Sequence, residues 1–545
     1  MSYEPNKYQS AILDWAKNGK GNALISARAG CGKTSTLIML ANLITEELRK
    51  PCLFLAFNEH IANEIKTKLQ DKVEKKELDV RTVNSLGYGF LGSYMWKTYA
   101  NNDTDITYKF NLDDKKMYRI GERLIDEQIV ELGIGYIDEE ELSDIYYEFK
   151  KLCDLARLTN IPYGNYESVV GLMDRYRLFD NVNTHGIDFA ALVEKAINED
   201  IAQFMNPVYS NIKKANIHTI DYADQIFMPN RQAMWCPKSV QNFCSNFVLV
   251  DESQDLSNGQ QRLIQKLTTT WCKPRYIFVG DERQSIYGFA GADTHSIEHL
   301  KEKYTLTEFP LNICYRCPQS HIKLIQRLVP DIEPNPNAIE GEVHVINNNE
   351  IAQYAKEGDY IIARKNKQLV EIMLDILKQG KSIYIKDTNL VSSTVSNIRK
   401  LQSKTISGLE VELKKLQVEF QQQQKDPMQK VAGSAISNDS ADIYDTIFIL
   451  LSNFKENSKS DSTKDFIKYL TAILNTDANK SSVVLSSIHG VKGGEAETVF
   501  LVSANKFPYI DDRNSADQNQ QERNLEYIAL SRSKNKLYLC KEIKN

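Results

Sequence analysis

At 545 residues the chain is too long for one ordinary core, and roughly three to four domains follow from a typical size of about 150 residues. A composition of 42% hydrophobic and 26% charged residues is that of a globular protein and excludes a disordered or collagen-like chain. The 67 basic and 72 acidic residues leave a net charge of −5, which excludes a polycation coating nucleic acid over its whole face but permits a local basic groove.

No apolar run approaches the roughly 18 residues of a membrane helix, and Met1–Ser10 lacks a signal-peptide pattern. An intracellular, cytoplasmic protein with no membrane partner is therefore expected. Nine cysteines, odd in number and scattered, agree with reduced thiols. Cys314 and Cys317 have a metal-like spacing, but no second close pair completes the roughly four ligands that zinc needs. Free thiols are expected there.

In chain order, short runs rich in Val, Ile and Phe predict strands at Ala23–Ser26, Cys52–Phe57, Val80–Val83, Phe247–Val250 and Tyr276–Val279. A second set follows at Val343–Ile346, Tyr360–Ala363, Ser382–Ile385, Val483–Ser487, Thr498–Val502 and Leu537–Leu539. Their alternation with longer helical patterns predicts an α/β protein with two parallel sheets. Each set is interrupted. Helical patterns at Met117–Leu132, Glu139–Leu158 and Ile187–Met205 fill the first gap. In the second gap, Ile406, Leu409, Leu413, Leu416 and Phe420 form the apolar stripe of an amphipathic helix, which Gln421–Gln424 close before Pro427. The stripe reads as bundle packing, since it lasts barely two heptads.

Strand Ala23–Ser26 runs into Ala27-Arg-Ala-Gly-Cys-Gly-Lys-Thr34 and then an apolar helix, the context a phosphate-binding loop requires. Gly30 and Gly32 let the backbone around Ala29, Cys31 and Ser35 curl its N–H groups toward a phosphate at a helix start. Lys33 would reach the β/γ-phosphates of ATP and Thr34 would ligate Mg²⁺. Farther on, Phe247–Val250 delivers Asp251-Glu252 to the end of a buried strand. Asp251 is expected to hold the Mg²⁺ and Glu252 to polarise the attacking water. Together these are the two halves of a nucleoside-triphosphatase site.

From Gln9 to Lys534 the ordered motifs resemble those of UvrD/Rep-type superfamily 1 DNA helicases. The carriers are Asn6-Lys-Tyr-Gln9, the loop around Lys33, Asp251-Glu252, Gly280-Asp-Glu-Arg-Gln-Ser-Ile-Tyr-Gly-Phe-Ala-Gly-Ala292, Leu311-Asn-Ile-Cys-Tyr-Arg316, Ser487-Ile-His-Gly-Val-Lys-Gly-Gly-Glu495 and Tyr527-Ile-Ala-Leu-Ser-Arg532. The resemblance implies two RecA-like P-loop lobes, each a parallel sheet flanked by helices and each carrying a mainly helical insert. The lobes are expected at residues 1–87 with 218–292 and at 293–386 with 481–545. The inserts are expected at 88–217 and 387–480.

The same resemblance implies roles. Gln9 reads adenine, Tyr315 stacks on it, and Glu495 binds ribose. Gln284 senses the γ-phosphate, and Arg316 and Arg532 clamp it. Phe57, Asn58, Thr82, Asn84, Tyr287, Phe289, Ser487 and His489 contact nucleic acid. Aromatic faces, amides and hydroxyls suit a strand gripped without reading its sequence. Ala27 stands where the general P-loop pattern has its first glycine, and the chain departs from the family pattern at Asn84, Cys314, Gly494 and Ala496 and, where many relatives have arginine, at Ala290. Most of these are grip and support positions, which puts affinity and step coupling in question more than ATP hydrolysis.

The function that the resemblance implies is an ATP- and Mg²⁺-dependent helicase or translocase moving 3′→5′ on single-stranded and tailed duplex DNA, with a monomeric core expected; residue spacing by itself sets no polarity. RNA stays open as a substrate, because such contacts do not test for the 2′-OH. Two alternatives are a translocase that remodels protein–DNA complexes with little unwinding and a regulatory ATPase that gates a partner nuclease. The small, polar second insert is expected to serve either lean self-regulation or a protein partner.

Overall fold

The computed structural model describes residues 4–542 except 70–76, 101–106, 180–181, 212, 214, 233, 270–271, 387–388, 426–437, 475–481 and 512–514. The chain divides into two compact units, residues 1–28 with 32–311 and residues 29–31 with 312–545.

The strands of the first unit are β1 (Asn22–Ala27), β2 (Cys52–Ala56), β3 (Leu78–Thr82), β4 (Thr107–Leu112), β5 (Val208–Ser210), β6 (Ala215–Ile220), β7 (Phe247–Val250), β8 (Arg275–Gly280) and β9 (Leu306–Leu311). Six of them form one parallel sheet in the order β3-β2-β7-β8-β1-β9. β2 and β7 are buried at every position, as continuous apolar runs covered on both faces should be. Because all six strands run the same way, their C-terminal ends share one edge of the sheet.

The first lobe extends past the expected boundary at 292, since Leu306–Leu311 pairs with β1 from Asn22↔Leu306 to Ala27↔Leu311. The sequence hid this strand because Pro310 interrupts it, and a proline that cannot donate to a ladder is tolerated at a sheet edge, where β9 lies. The insert boundaries also shift. Helix Val83–Ala100 runs unbroken through 87/88, and β6 runs through 217/218.

The first insert contains helices Lys116–Glu131, Glu139–Thr159, Tyr166–Tyr176 and Phe189–Met205, plus a three-stranded sheet of order β4-β6-β5. It shares its hydrophobic core with the lobe: Leu24, Leu53 and Val248 belong to the same buried cluster as Phe149, Leu152 and Val193. A buried ionic knot lies at its base. The fully buried Arg157 guanidinium donates from Nη1 to Asp200 at 3.0 Å and Asp224 at 2.9 Å, and from Nη2 to Asp221 at 2.7 Å. The Lys116 amine adds ion pairs to Asp200 at 2.5 Å and to Asp224. Gly87 is where helix Val83–Ala100 meets the chain of Asp224–Arg231. A Cβ there would stand 1.7 Å from the Gln225 carbonyl oxygen, so only glycine fits.

The second unit comprises β10 (Ile313–Cys314), β11 (Glu333–Pro334), β12 (Glu342–Asn347), β13 (Tyr360–Ala363), β14 (Ile383–Ile385), β15 (Val483–Ser487), β16 (Ala496–Leu501) and β17 (Ser533–Lys541). The last six form a second parallel sheet, ordered β12-β17-β16-β13-β15-β14.

Its insert consists of helices Asn389–Lys400, Ile406–Lys425, Asn438–Asn457 and Thr463–Leu474. Ile406, Leu409 and Leu413 of the expected stripe are buried, Leu416 is half-buried, and the Phe420 side chain lies outside the described residues. Those buried residues join Leu369, Met373 and Ile376 of the lobe in one core. Asp442 further accepts from the backbone N–H of Asn366 at 2.7 Å and of Lys367 at 3.2 Å. This insert is thus built into its lobe.

Among the described residues no helix is long and apolar enough to cross a membrane. All nine cysteines are buried thiols outside any disulfide, and no described group of three or more His, Cys, Asp or Glu side chains could hold a metal ion.

Candidate nucleotide site and nucleic-acid track

β1 feeds the glycine loop, and helix Lys33–Asn42 begins immediately after it with Gly32 as its left-handed cap. Gly30 at φ 68° and Gly32 at φ 77° occupy backbone conformations that other residues seldom tolerate, so the loop curls as expected. Lys33, Thr34 and Ser35 form the helix's first turn, where unpaired N–H groups and the helix dipole favour an anion.

Gln9 is locked beside this loop. It closes a capping box on helix Lys7–Asn18, accepting from the Asn6 N–H at 3.1 Å while its own N–H donates to Asn6 Oδ1 at 2.9 Å. Its Nε2 donates to Thr36 Oγ1 at 3.0 Å, and that hydroxyl donates to the Gly32 carbonyl at 2.9 Å. The side chain is fully buried.

Asp251 comes directly after β7, and Glu252 follows in a left-handed backbone conformation at φ 47°, uncommon for a residue with a side chain. The Lys33 amine is ion-paired with the Glu252 carboxylate. Burial works against the charge on Lys33, but Glu252 and Asp251 outweigh it and raise the lysine's pKa. Burial pushes Asp251 up to about 7 against the pull of Lys33, with Glu252 adding to the rise. The Glu252 N–H donates to Asp251 Oδ1 at 2.9 Å.

Gln284 closes the short 3-10 turn Glu282–Gln284 that follows β8, and it donates to Asp281 Oδ2 at 2.7 Å. The other Asp281 oxygen takes Arg28 at 3.1 Å, and the Asp281 N–H donates to Gln254 Oε1 at 3.0 Å. Gln254 also donates to Glu252 and, at 3.1 Å, to Asp255. Arg28, Gln254 and Asp281 therefore bind the γ-phosphate candidate Gln284 to the carboxylate pair, and none of them stood out in the sequence. The available signal was their place inside the motifs, each at the end of a parallel strand.

The same sheet edge carries the nucleic-acid candidates of this unit. Phe57 and Tyr287 stack with ring centroids 5.8 Å apart and planes 17° apart. Phe289, 57% exposed, lies 6.3 Å from Tyr287. Asn58 Oδ1 accepts from the Ile61 N–H at 2.9 Å and Thr82 Oγ1 from the Ser85 N–H at 3.1 Å, so both side chains also cap the helix that follows them. Asn84 Nδ2 donates to the Tyr222 carbonyl at 3.1 Å.

In the second unit, β15 ends on Ser487, whereas β16 and β17 begin just after Glu495 and Arg532. In a parallel sheet those are opposite edges. Ala496 pairs with Ser533, which sets Glu495 and Arg532 in adjacent chains. The Arg316 Nε donates to Glu495 Oε2 at 2.6 Å, and Lys534 pairs with the other oxygen at 2.7 Å. Burial alone would raise the Glu495 pKa, but Lys534 and Arg316 bring it below the ordinary value.

Arg532 is 1% exposed, and its guanidinium donates to the Ile528 and Gly494 carbonyls and the Ser531 hydroxyl. Burial, then Arg316, lowers its pKa to about 9. A buried cation bonded to neutral groups is suited to an anionic ligand. Tyr315 is 37% exposed. At the other edge the Gly490 N–H donates to Ser487 Oγ at 3.1 Å, and burial followed by Arg364 and Lys492 holds His489 down at about 4. Arg364, paired with Glu522 at 2.9 Å and charged beside His489, is a further residue the sequence reading passed over.

Two family models match the chain. The UvrD/REP helicase N-terminal domain matches residues 8–305, and the UvrD-like helicase C-terminal domain matches residues 177–543. The chain is 26% identical over 298 residues to the ATP-dependent DNA helicase Rep of Buchnera aphidicola subsp. Schizaphis graminum, covering 52% of this chain and 38% of that protein. It is 24% identical over 312 residues to a probable DNA helicase of Mycoplasma pneumoniae, covering 55% and 51%. Over 295 residues it is 23% identical to the ATP-dependent DNA helicase PcrA of Staphylococcus aureus, covering 53% and 35%. The chain thus spans about half or less of the length of these relatives. Each family model by itself covers more than half of the chain: the chain belongs to the UvrD/Rep-type helicase family.

Proposed function

We propose that the protein is an ATP-driven DNA motor that moves 3′→5′ along single-stranded DNA and separates duplex ahead of it. One observation carries this reading. The edge of the first parallel sheet that pairs Lys33 with Glu252 also stacks Phe57 on Tyr287. Chemistry and grip are then linked through short, rigid strand ends.

Lys33 and the loop N–H groups hold the phosphates of ATP. A phosphate drawn to Lys33 competes with Glu252 for the amine, which leaves the Glu252 carboxylate to accept the proton of the attacking water. Thr34 and Asp251 offer hard oxygen donors beside the phosphate loop and fit Mg²⁺, which when bound neutralises phosphate charge. Gln284, held through Asp281 and Gln254, ties that region to the strand leading into Tyr287 and Phe289. Arg316 and Arg532 contribute positive charge suited to a transferring phosphoryl group.

Strand displacement on duplexes with a 3′ or a 5′ tail tests the reading, run alongside DNA-stimulated ATP hydrolysis. ATP-dependent unwinding from the 3′ tail is expected. Unwinding only from the 5′ tail overturns the polarity. ATP turnover without unwinding from either tail shifts the assignment to a translocase or a regulatory ATPase.

A further inference from the structure

We infer that the single-strand track of the first unit continues past Asn84 onto the exposed ring of Tyr88, one turn farther along helix Val83–Ala100. The inference rests on reading Phe57, Tyr287 and Asn84 as that track. Residues four apart share a helix face and are separated by about 6 Å along the axis. Asn84 and Tyr88 therefore follow one another on one side of this helix.

That face is held in place. Asn84 Nδ2 bonds the Tyr222 carbonyl, and the close approach at Gly87 to the Gln225 carbonyl prevents the helix from rolling. Tyr88 is 45% exposed, too open for a core residue. Its ring is nevertheless braced. Phe110 of β4 meets it edge-on at 5.1 Å and 66°, and Tyr108 packs 5.6 Å from Phe110. The Tyr108 hydroxyl donates to the Gly92 carbonyl at 2.8 Å, returning the contact to the same helix one turn beyond Tyr88. A ring fixed by aromatic neighbours and open to solvent loses little freedom on taking a stacked base.

An aromatic ring following an amide along one helix face is chemistry that grips a single strand irrespective of sequence. Continuity with Asn84 makes single-stranded DNA the occupant.

Binding of fluorescein-labelled oligo-dT of increasing length to the full chain, at one fixed salt concentration, tests this. Four proteins are compared: the unaltered chain, Tyr88→Ala, Tyr88→Phe and Phe57→Ala. Tyr88→Ala is expected to weaken binding of long oligonucleotides by roughly 5- to 150-fold, the value of one stacked base. It should leave unchanged the short ones that reach only Phe57 and Tyr287, and Tyr88→Phe should keep full affinity. If Phe57→Ala weakens binding while Tyr88→Ala has no effect, or affects every length equally, the extension is wrong and the track stands. If Phe57→Ala is also without effect, the track reading itself fails.

Discussion

Lys33 and Glu252, 219 residues apart in the chain, are joined in an ion pair at the C-terminal ends of β1 and β7. The pair links the candidate phosphate-binding amine to the candidate catalytic base, and the two substitutions that break it should have separable effects. Lys33→Ala removes the phosphate ligand. A loss of about 10²-fold or more in DNA-stimulated turnover is expected, with single-strand affinity in the absence of ATP little changed.

Glu252→Gln keeps the shape and removes the base. Turnover should fall by roughly 10²–10⁴-fold while equilibrium binding of a fluorescent ATP analogue is retained. Equal loss of binding and turnover would assign Glu252 a purely structural role.

Arg316 and Arg532 differ in how they are held. Arg316 is tied to the Glu495 carboxylate, and Arg532 is buried among carbonyls and a hydroxyl. Replacement of either by alanine should slow single-turnover hydrolysis by about 10³–10⁵-fold if it stabilises the transferring phosphoryl group. Glu495→Gln removes the charge that holds Arg316, so an altered KM for ATP with a smaller change in kcat is expected. Steady-state kinetics at saturating DNA distinguishes the three.

The buried knot around Arg157 predicts a stability effect distant from the motifs. Arg157→Ala strands Asp200, Asp221 and Asp224 in a dry interior with Lys116 alone to offset them. A loss of about 3–5 kcal/mol is expected from breaking such a network, measured by urea unfolding. Replacing all five residues of the knot, Lys116, Arg157, Asp200, Asp221 and Asp224, by apolar residues of similar volume should be far milder.

His489 gives a pH dependence. With its folded pKa near 4, below the usual 6.5, the unfolded chain binds more protons between those values. Stability from this group is therefore complete above about pH 6.5 and is lost as pH falls toward 4. His489→Gln should flatten that part of the profile in unfolding titrations from pH 4.5 to 7.5. Because His489 is neutral near pH 7, the same variant should leave the salt dependence of DNA binding unchanged.

Much of the nucleotide site was legible because a phosphate loop is local. Strand, Gly30, Gly32, Lys33 and helix occupy one stretch of chain, and the backbone dihedrals of the two glycines follow from residue type. Strand positions were similarly plain wherever burial on both faces imposed an apolar run, as in β2 and β7. Where burial is one-sided the signal faded. β9 carries Glu308 and Pro310 at a sheet edge, and β4, Thr-Tyr-Lys-Phe-Asn-Leu, has four of its six residues exposed.

The sequence by itself determined the P-loop, the order of the motifs and the family they resemble, since each depends on residues within a few positions of one another. Only the tertiary structure decided which distant residues meet. Parallel pairing gathers the ends of β1, β2, β3, β7 and β8 on one edge, which brings Lys33 to Glu252, Gln284 through Asp281 to Arg28, and Phe57 to Tyr287. It also fused the second insert with the core of its lobe through Leu409, Leu413 and Met373. Local periodicity shows that a face will be buried; the partner that buries it is set by strand order and packing across the whole unit.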